Sequence, residues 1–349
     1  MKTISETIGG AQALLNLNYD LQGCFEERLT AKHKTFLHMI RVLEDSQKPL
    51  LRPYAGIGRR PYQYTGFLRS MWAKSFFGLG KTSMLINTLK NDPNLRLLCG
   101  FKKVPGRSSF SRAFSYLSGT NITSEILDTL VINTHKQRVV YHVCRDSTAI
   151  QAREKRPKKA RNGLGKHIKR VKPPSVLKKQ IDEPWQVSLE ALPKNAAYGR
   201  KGNSTWYGYK LHLDVSDCGF PVSAVVTSAN VNDSRAAIIL EKMTENKVQF
   251  CYSLMDSAYD MAAIISFIQG RGRVPIIEKN SRSKNRPPLD PAKQERYKIR
   301  TTVERAYSYL KDNLIPKSIY VKGYQKVSFV LMSAVLCLAA LRTLQYYIL

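Results

Sequence analysis

The chain has 349 residues, and its 56 lysine and arginine residues against 26 aspartate and glutamate residues give a net charge of +30 at pH 7. A surplus of this size repels itself unless a polyanion offsets it, so nucleic acid is the expected partner. The charge defines no chemistry, because a basic structural or ribosome-associated protein would carry the same excess. The six cysteines form no CxxC pair, and no histidine stands beside one at zinc-ligand spacing, which argues against a zinc site.

Residues 1–137 have the pattern of an all-helical region, which we expect to bind DNA and to dimerise. Within residues 83–117, three short helices are separated by tight turns, and the last begins with arginines and serines. This arrangement is typical of a helix-turn-helix DNA reader, in which Arg107, Ser109 and Arg112 would contact DNA. Small helical bundles without DNA contacts give the same pattern, so both interpretations stay open.

A second region, residues 138–320, begins with the apolar run Val139–Cys144, which predicts a strand covered on both faces and ending at Asp146. Residues 153–172 then hold ten lysines and arginines against one acid. We interpret residues 151–205 as an insertion with a solvated basic loop that contacts DNA. The DNA-binding candidates in this loop are Lys155, Lys158, Lys159, Lys169 and Arg170.

The elements that follow predict a mixed sheet flanked by helices. They are a hairpin of two strands (Tyr207–Val215 and Phe220–Thr227), a helix (Asp233–Thr244, with Asp233 as its N-cap), a strand (Phe250–Met255), a helix (Ala258–Gln269), a strand (Val274–Ile277) and a last helix (Tyr297–Lys311). This order resembles that of a ribonuclease H-like domain. In such a sheet, the first strand lies beside the fourth.

An acid follows each of these two neighbouring strands, Asp146 after the first and Asp256 after the fourth. An aspartate after a strand is most often a turn or cap residue, so neither acid alone indicates a site. Together with a third carboxylate on the last helix, they indicate one. Asp260 is the alternative to Asp256. Four other acids near strand ends rank lower: Asp214, Asp217, Asp233 and Glu278.

The last helix carries four polar residues on one wall, at intervals of three, four and seven: Tyr297, Arg300, Glu304 and Lys311. On an α-helix they would fall within an arc of about 60°. A plain Arg300–Glu304 pair on a helix edge is the alternative interpretation. In the functional interpretation, Glu304 joins the two aspartates, Arg300 and Lys311 grip DNA phosphates, and Tyr297 hydrogen bonds or stacks near the strand end.

Three carboxylates at one sheet edge need compensating cations, and oxygen ligands favour Mg²⁺ or Mn²⁺. We therefore predict Asp146, Asp256 and Glu304 as catalytic residues that ligate two such ions. Two ions about 4 Å apart can activate a water or a 3′-hydroxyl and stabilise the departing oxygen of a phosphoryl displacement.

The four residues of the helix wall match the Y-R-E-K signature of insertion-sequence DDE transposases. Asp256-Ser257-Ala258-Tyr259-Asp260 resembles the segment around their second aspartate, and Arg145-Asp146-Ser147-Thr148 resembles the first. The resemblance covers residues 139–314. It implies a ribonuclease H-like catalytic core, cleavage of double-stranded DNA at terminal inverted repeats, strand transfer into target DNA, and a homodimer on paired ends. Two alternatives remain: a catalytically silent DNA-binding repressor or domesticated relative, and another ribonuclease H-like nuclease.

Residues 321–349 contain the apolar run Val327–Leu341, which is short for a bilayer span of about 20 residues. We interpret it as a buried helix packed on the catalytic domain and expect no membrane partner. The expected location is the cytoplasm of a prokaryote, in association with the nucleoid. Trp185 and Trp206 could stack on a displaced base or belong to the core.

Overall fold

A computed structural model describes residues 29–46, 56, 61–136, 138–156, 188–201, 203–279 and 289–348. The N-terminal region is helical in these residues. Its helices are α1 (Ala31–Glu44), α2 (Tyr64–Phe76), α3 (Thr82–Asn91), α4 (Pro93–Leu98), α5 (Arg107–Ser118) and α6 (Ile122–His135). The segment predicted as helix-turn-helix forms α3, α4 and α5. The side chain of Asp92 separates the first two, because it caps α4 by accepting the Leu95 N–H at 2.9 Å.

The second half of the chain builds a six-stranded mixed sheet. Its strands are β1 (Val140–Gln151), β2 (Ala197–Lys201), β3 (Ser204–Ser216), β4 (Pro221–Ser228), β5 (Phe250–Met255) and β6 (Val274–Ile277). The order is β4-β3-β1-β5-β6, and the short β2 pairs with the first part of β3. β3 runs antiparallel to β1, whereas β5 runs parallel to both β1 and β6. The predicted fold class, a helical region followed by a ribonuclease H-like sheet, is confirmed.

β1 is longer than predicted, which changes the position of Asp146. The apolar run stops at Cys144, where the pairing with β5 also ends. The strand nevertheless continues to Gln151, because its hydrogen-bonded pairing with β3 continues to that residue. The prediction that Asp146 ends a strand is therefore wrong: the residue lies within β1, just beyond the part that β5 covers.

The remaining helices are α7 (Asp233–Glu245), α8 (Ala262–Gln269), α9 (Pro291–Tyr297), α10 (Thr301–Tyr309) and α11 (Tyr324–Thr343). The predicted N-cap of α7 is wrong, because Asn232 caps the helix by accepting the Ser234 N–H. Asp233 lies in the first turn instead and forms an ion pair with Lys210 at 2.9 Å.

The predicted single helix from Tyr297 to Lys311 is also wrong. A 3₁₀ turn (Lys298–Arg300) separates α9 from α10, and a π-helical turn (Leu310–Leu314) follows α10. The tighter turn exposes the carbonyl of Ile299 to β1, where the Cys144 thiol donates to it at 3.4 Å. Apolar spacing in a sequence does not separate these local variants, because all of them keep one face toward the core.

Helix α11 is buried and contacts β4 together with α1, α2, α5 and α6. One large apolar core consequently runs from the N-terminal helices to the sheet. In the described part of the chain, Tyr324–Tyr346 is the one helix long and apolar enough to cross a membrane. Of its apolar window, 83% is buried inside the protein, which is the packing of a core helix.

Candidate active site

The pairing of β1 with β5 places the two predicted aspartates side by side. Cys144 of β1 pairs with Leu254 of β5 in parallel register. Asp146 and Asp256 each follow two residues after this pair, so they lie next to each other. One oxygen of each carboxylate is held by the local backbone. Asp146 Oδ1 accepts the Ser147 N–H at 2.7 Å, and Asp256 Oδ1 accepts the Ala258 N–H at 3.0 Å. These bonds fix both side chains and leave Oδ2 of each for another partner.

The guanidinium of Arg300 brings all three predicted carboxylates together. Its Nη2 lies 3.8 Å from Asp146 Oδ2 and 3.9 Å from Asp256 Oδ2. Its Nη1 donates to Glu304 Oε1 at 2.6 Å. Arg300 is 16% exposed, whereas Glu304 is 54% exposed. The site therefore has two partly buried aspartates and one exposed glutamate around a single cation.

The electrostatics follow from this arrangement. Burial of the guanidinium opposes its charge, but Tyr297, Asp146 and Glu304 outweigh that effect, and the pKa of Arg300 is raised. Burial raises the pKa of Tyr297, and the carboxylate of Glu278 adds to the effect against the influence of Arg300. The Tyr297 phenol therefore stays protonated and neutral beside the carboxylates.

Helix α10 packs on the sheet through an apolar face. Val303, Ala306 and Leu310 are buried there. Tyr307 lies on the same face, and its hydroxyl lies 2.7 Å from the Asp146 carbonyl and 2.9 Å from the Leu211 carbonyl. The one hydroxyl proton is shared between these two acceptors. Tyr307 thus ties the helix that carries Glu304 to the backbone of Asp146.

A buried ion cluster supports β1 from the opposite face of the sheet, and the sequence analysis missed it. Arg145 donates to both oxygens of Asp214, at 2.7 and 2.6 Å, and to Glu241 at 2.9 Å. All three residues are at most 1% exposed. Burial opposes the charge of Arg145, but Asp214 and Glu241 raise its pKa overall. The cluster joins β1, β3 and α7 to one another. Because side chains alternate along β1, Asp146 points to the other face of the sheet.

Strand alternation is the signal that could have revealed this cluster. A charged residue inside a buried strand needs a partner, and Arg145 precedes Asp146 in such a strand. Asp214 ranked below the three chosen acids as a metal ligand, and the structure shows it committed to Arg145.

A second polar cluster surrounds His212, on the same face of the sheet as Arg145 and Asp214. Its Nε2 hydrogen bonds with the Thr227 hydroxyl at 2.9 Å, and its Nδ1 lies 3.8 Å from Asp233. The imidazole is fully buried, and this burial lowers the pKa of His212 to about 4 despite Asp233. The ring is consequently neutral at physiological pH.

The structure describes only some of the predicted DNA-binding residues. Arg107, Arg112, Lys155 and Lys311 are exposed, and Ser109 is half-buried on α5. Lys311 lies in the π-helical turn, and no hydrogen bond or ion pair among the described residues joins it to the three carboxylates. Four predicted residues and one tryptophan lie outside the described residues: Lys158, Lys159, Lys169, Arg170 and Trp185.

Trp206, the other tryptophan considered for stacking on a base, is packed within the β2–β3 hairpin. Its indole N–H donates to the Tyr209 carbonyl at 3.1 Å. Its ring lies so close to Gly199 that a Cβ at that position would stand 2.3 Å from it. These contacts favour a structural role for Trp206.

The residues at Arg300 fit divalent cations, although no three His, Cys, Asp or Glu side chains in the described ranges are grouped as a metal site. The guanidinium of Arg300 lies within 4 Å of all three carboxylates. Three carboxylates around one guanidinium leave two negative charges uncompensated. Their donor atoms are all oxygen, the set that Mg²⁺ and Mn²⁺ prefer.

The sheet order and the helix that carries Glu304 to the edge of the sheet define a ribonuclease H-like domain of the kind that transposases use. A family model described as "Transposase DDE domain" matches residues 140–340, which is more than half of the chain, so the chain belongs to this family. A second model, described as a transposase domain (DUF772), matches residues 24–116. A search of curated proteins found no match.

Among solved structures, the chain is similar to a piggyBac transposase in a synaptic complex with hairpin DNA, determined by cryo-electron microscopy. The sequence identity is 8%, the TM-score is 0.39, and the match covers 97% of this chain and 71% of the other.

Proposed function

We propose that this transposase binds the terminal inverted repeats of an insertion sequence, cleaves DNA strands there and joins the freed ends to target DNA. The observation that carries the proposal is the position of Arg300, within 4 Å of Asp146, Asp256 and Glu304. Three acids that are far apart in the sequence meet around one cation, at the edge of a sheet in a strongly basic chain. Such a site is suited to cations and to phosphate chemistry.

The side chains have separate roles in this proposal. Asp146, Asp256 and Glu304 would hold two Mg²⁺ or Mn²⁺ ions, which when bound supply the Lewis acidity that activates the attacking oxygen and stabilises the leaving oxygen. Asp146 and Asp256 are fixed by backbone N–H groups, so they offer a preformed pair of ligands. Glu304 is more exposed, is paired with Arg300, and would be the third ligand.

Arg300 would then turn from the carboxylates to a phosphate beside the scissile bond. A guanidinium can hold two phosphate oxygens at once, which positions the strand for in-line attack. Lys311 and Tyr297 would contact the same DNA end. Arg107, Ser109 and Arg112 on α5 would read the duplex, while Lys155, Lys158, Lys159, Lys169 and Arg170 would neutralise its backbone.

The assembly that we propose is a homodimer on paired DNA ends, because transposition joins two ends of one element. The charge of +30 supports DNA as the partner, since the site itself is acidic and cannot account for that excess.

The direct test is strand nicking on a duplex that carries the end sequence of the element, in the presence of Mg²⁺. Wild-type protein should nick the duplex, and the Glu304→Gln variant should lose most of this activity while binding the duplex with unchanged affinity. Glu125→Gln is the matched control, because Glu125 is an exposed glutamate on α6, in the helical N-terminal region rather than the sheet that carries the site. Nicking by Glu304→Gln at the wild-type rate would refute the role of Glu304.

A further inference from the structure

A surface groove runs along the α9–α10 junction, and none of the three carboxylates lines it. Its volume is about 750 Å³. The 3₁₀ turn between the helices divides the two sites: Arg300 points to the carboxylates, whereas Lys298 and Ile299 line the groove. The groove extends to Asp217 in the β3–β4 turn, near the start of β1.

Two guanidiniums on this groove have no carboxylate within ion-pair distance among the described residues. Arg305 Nη2 donates to the Thr302 hydroxyl at 3.3 Å. Arg296 lies over the Tyr252 ring at 4.3 Å and donates to His142 Nε2 at 3.4 Å. None of these partners is a carboxylate, so both arginines keep their positive charge available to an anion.

The acids of the groove are already paired. Asp217 accepts the backbone N–H of His142 at 3.0 Å and lies 3.3 Å from its Nδ1. Glu295 forms an ion pair with Lys298, the third cation of the groove. The lining side chains carry three positive and two negative charges, a net charge of +1, and Arg296 and Arg305 are the two lining cations with no carboxylate at ion-pair distance among the described residues.

We propose that this groove binds DNA backbone phosphates that are distinct from the scissile phosphate, with Arg305 and Arg296 as the contacts. The inference rests on the proposed function and extends it. Glu304 and Arg305 are consecutive on α10, so one helix presents a carboxylate to the catalytic edge and a guanidinium to the groove. Consecutive residues project about 100° apart around a helix that is about 10 Å across with its side chains, so phosphates at the two sites would lie on the order of 10 Å apart.

Phosphates at that distance can come from two sources. One is the opposite strand of the same duplex, because the major groove of B-DNA is about 12 Å wide. The other is the target duplex into which the cut end is joined. Both present the same chemistry to the groove, and the salt dependence of binding can be measured for each.

The experiment compares Arg305→Gln with wild-type protein in binding two duplexes as a function of salt concentration. One duplex carries the end sequence, and the other is a random-sequence target added to the complex of protein with the end. Each lost phosphate contact lowers the slope of log K against log salt by about 0.9. We expect this loss with one of the two duplexes, and the duplex that shows it identifies the source of the phosphate. The Arg305→Lys variant should keep most of the slope, because it keeps the charge.

Two controls make the result specific. Lys34→Gln removes an exposed cation from α1 and should leave both slopes unchanged. Arg305 is exposed, so its replacement should not alter the melting temperature. Unchanged slopes with both duplexes, or an equal loss with Lys34→Gln, would overturn the groove assignment. Nicking of the end duplex by wild-type protein, measured in parallel, tests the proposed function separately.

Discussion

Replacing Arg300 should strengthen metal binding by the DNA-free protein while weakening DNA cleavage. In the structure, the guanidinium neutralises the carboxylates that would ligate the ions, so an ion must displace it. Arg300→Gln removes the competitor and retains a side chain of similar length. A purely structural ion pair would give the opposite result, since its loss would leave the carboxylates less well held.

The distances set the size of the effect. At about 4 Å, each Arg300–aspartate interaction is worth about 1 kcal/mol even at the dielectric constant of water. Glu304 is more than half exposed, so its pair with Arg300 adds only about 0.3–0.5 kcal/mol. The sum is about 2 kcal/mol, which corresponds to roughly 30-fold tighter binding of a divalent cation.

The assay is a Mn²⁺ titration of the DNA-free protein, followed by electron paramagnetic resonance of the free ion. Arg305→Gln is the matched control, because it removes the same charge from the next turn of the chain without touching the carboxylates. Equal Mn²⁺ affinity of wild-type protein and Arg300→Gln would show that the guanidinium does not stand in for an ion. Unimpaired nicking by the variant would refute the phosphate contact of Arg300.

Two further predictions concern the support of the site. Tyr307→Phe removes the hydroxyl shared by the Asp146 and Leu211 carbonyls. The free energy of unfolding in urea should therefore fall by about 1–2 kcal/mol, and nicking should slow at unchanged DNA affinity. Tyr309→Phe on the same helix should change neither quantity, and a Tyr307→Phe variant as stable and active as wild type would contradict the prediction. The pKa of His212 is lowered to about 4, below the value of about 6.5 in an unfolded chain. Between these two pH values the unfolded state binds one more proton than the folded state. Up to about 3 kcal/mol of stability should therefore be lost as the pH falls from about 6.5 to 4. Urea unfolding of wild type and His212→Asn across this range checks the second prediction, which fails if both lose stability equally.

Part of the fold could be predicted because burial leaves a direct pattern in the sequence. The bounds of β5 and β6 are the predicted ones, since each is a short apolar run closed by polar residues or a turn. β1 was predicted too short, because its second half is held by pairing with β3 rather than by apolar side chains on both faces. The 3₁₀ and π-helical turns beside α10 were missed for a related reason: they depend on partners such as the Cys144 thiol, which lie far away in the sequence.

The candidate site, like the fold, could be predicted from the sequence only in part. The meeting of Asp146 with Asp256 follows from the strand order, which the sequence predicted, and the structure adds the register that brings them level. That Arg300 would bind all three acids, rather than Glu304 alone, could not be predicted from spacing on an ideal helix. The buried cluster of Arg145, Asp214 and Glu241 depends on three elements packing together, so the alternation of β1 can indicate a buried Arg145 but not its two partners.

The length of β1 sets the distance between Asp146 and a group of exposed cations that follow the strand. The strand continues without interruption from Asp146 to Gln151, and the exposed cations Arg153, Lys155 and Arg156 follow directly. Arg153 lies seven residues beyond Asp146, so at about 3.3 Å per residue it is roughly 23 Å away. A duplex lying along the strand would meet it about seven base pairs from the phosphate that is cut, given about 3.4 Å per base pair. Because hydrogen-bonded pairing with β3 holds the strand as far as Gln151, the spacing between the candidate site and these cations is set by the fold.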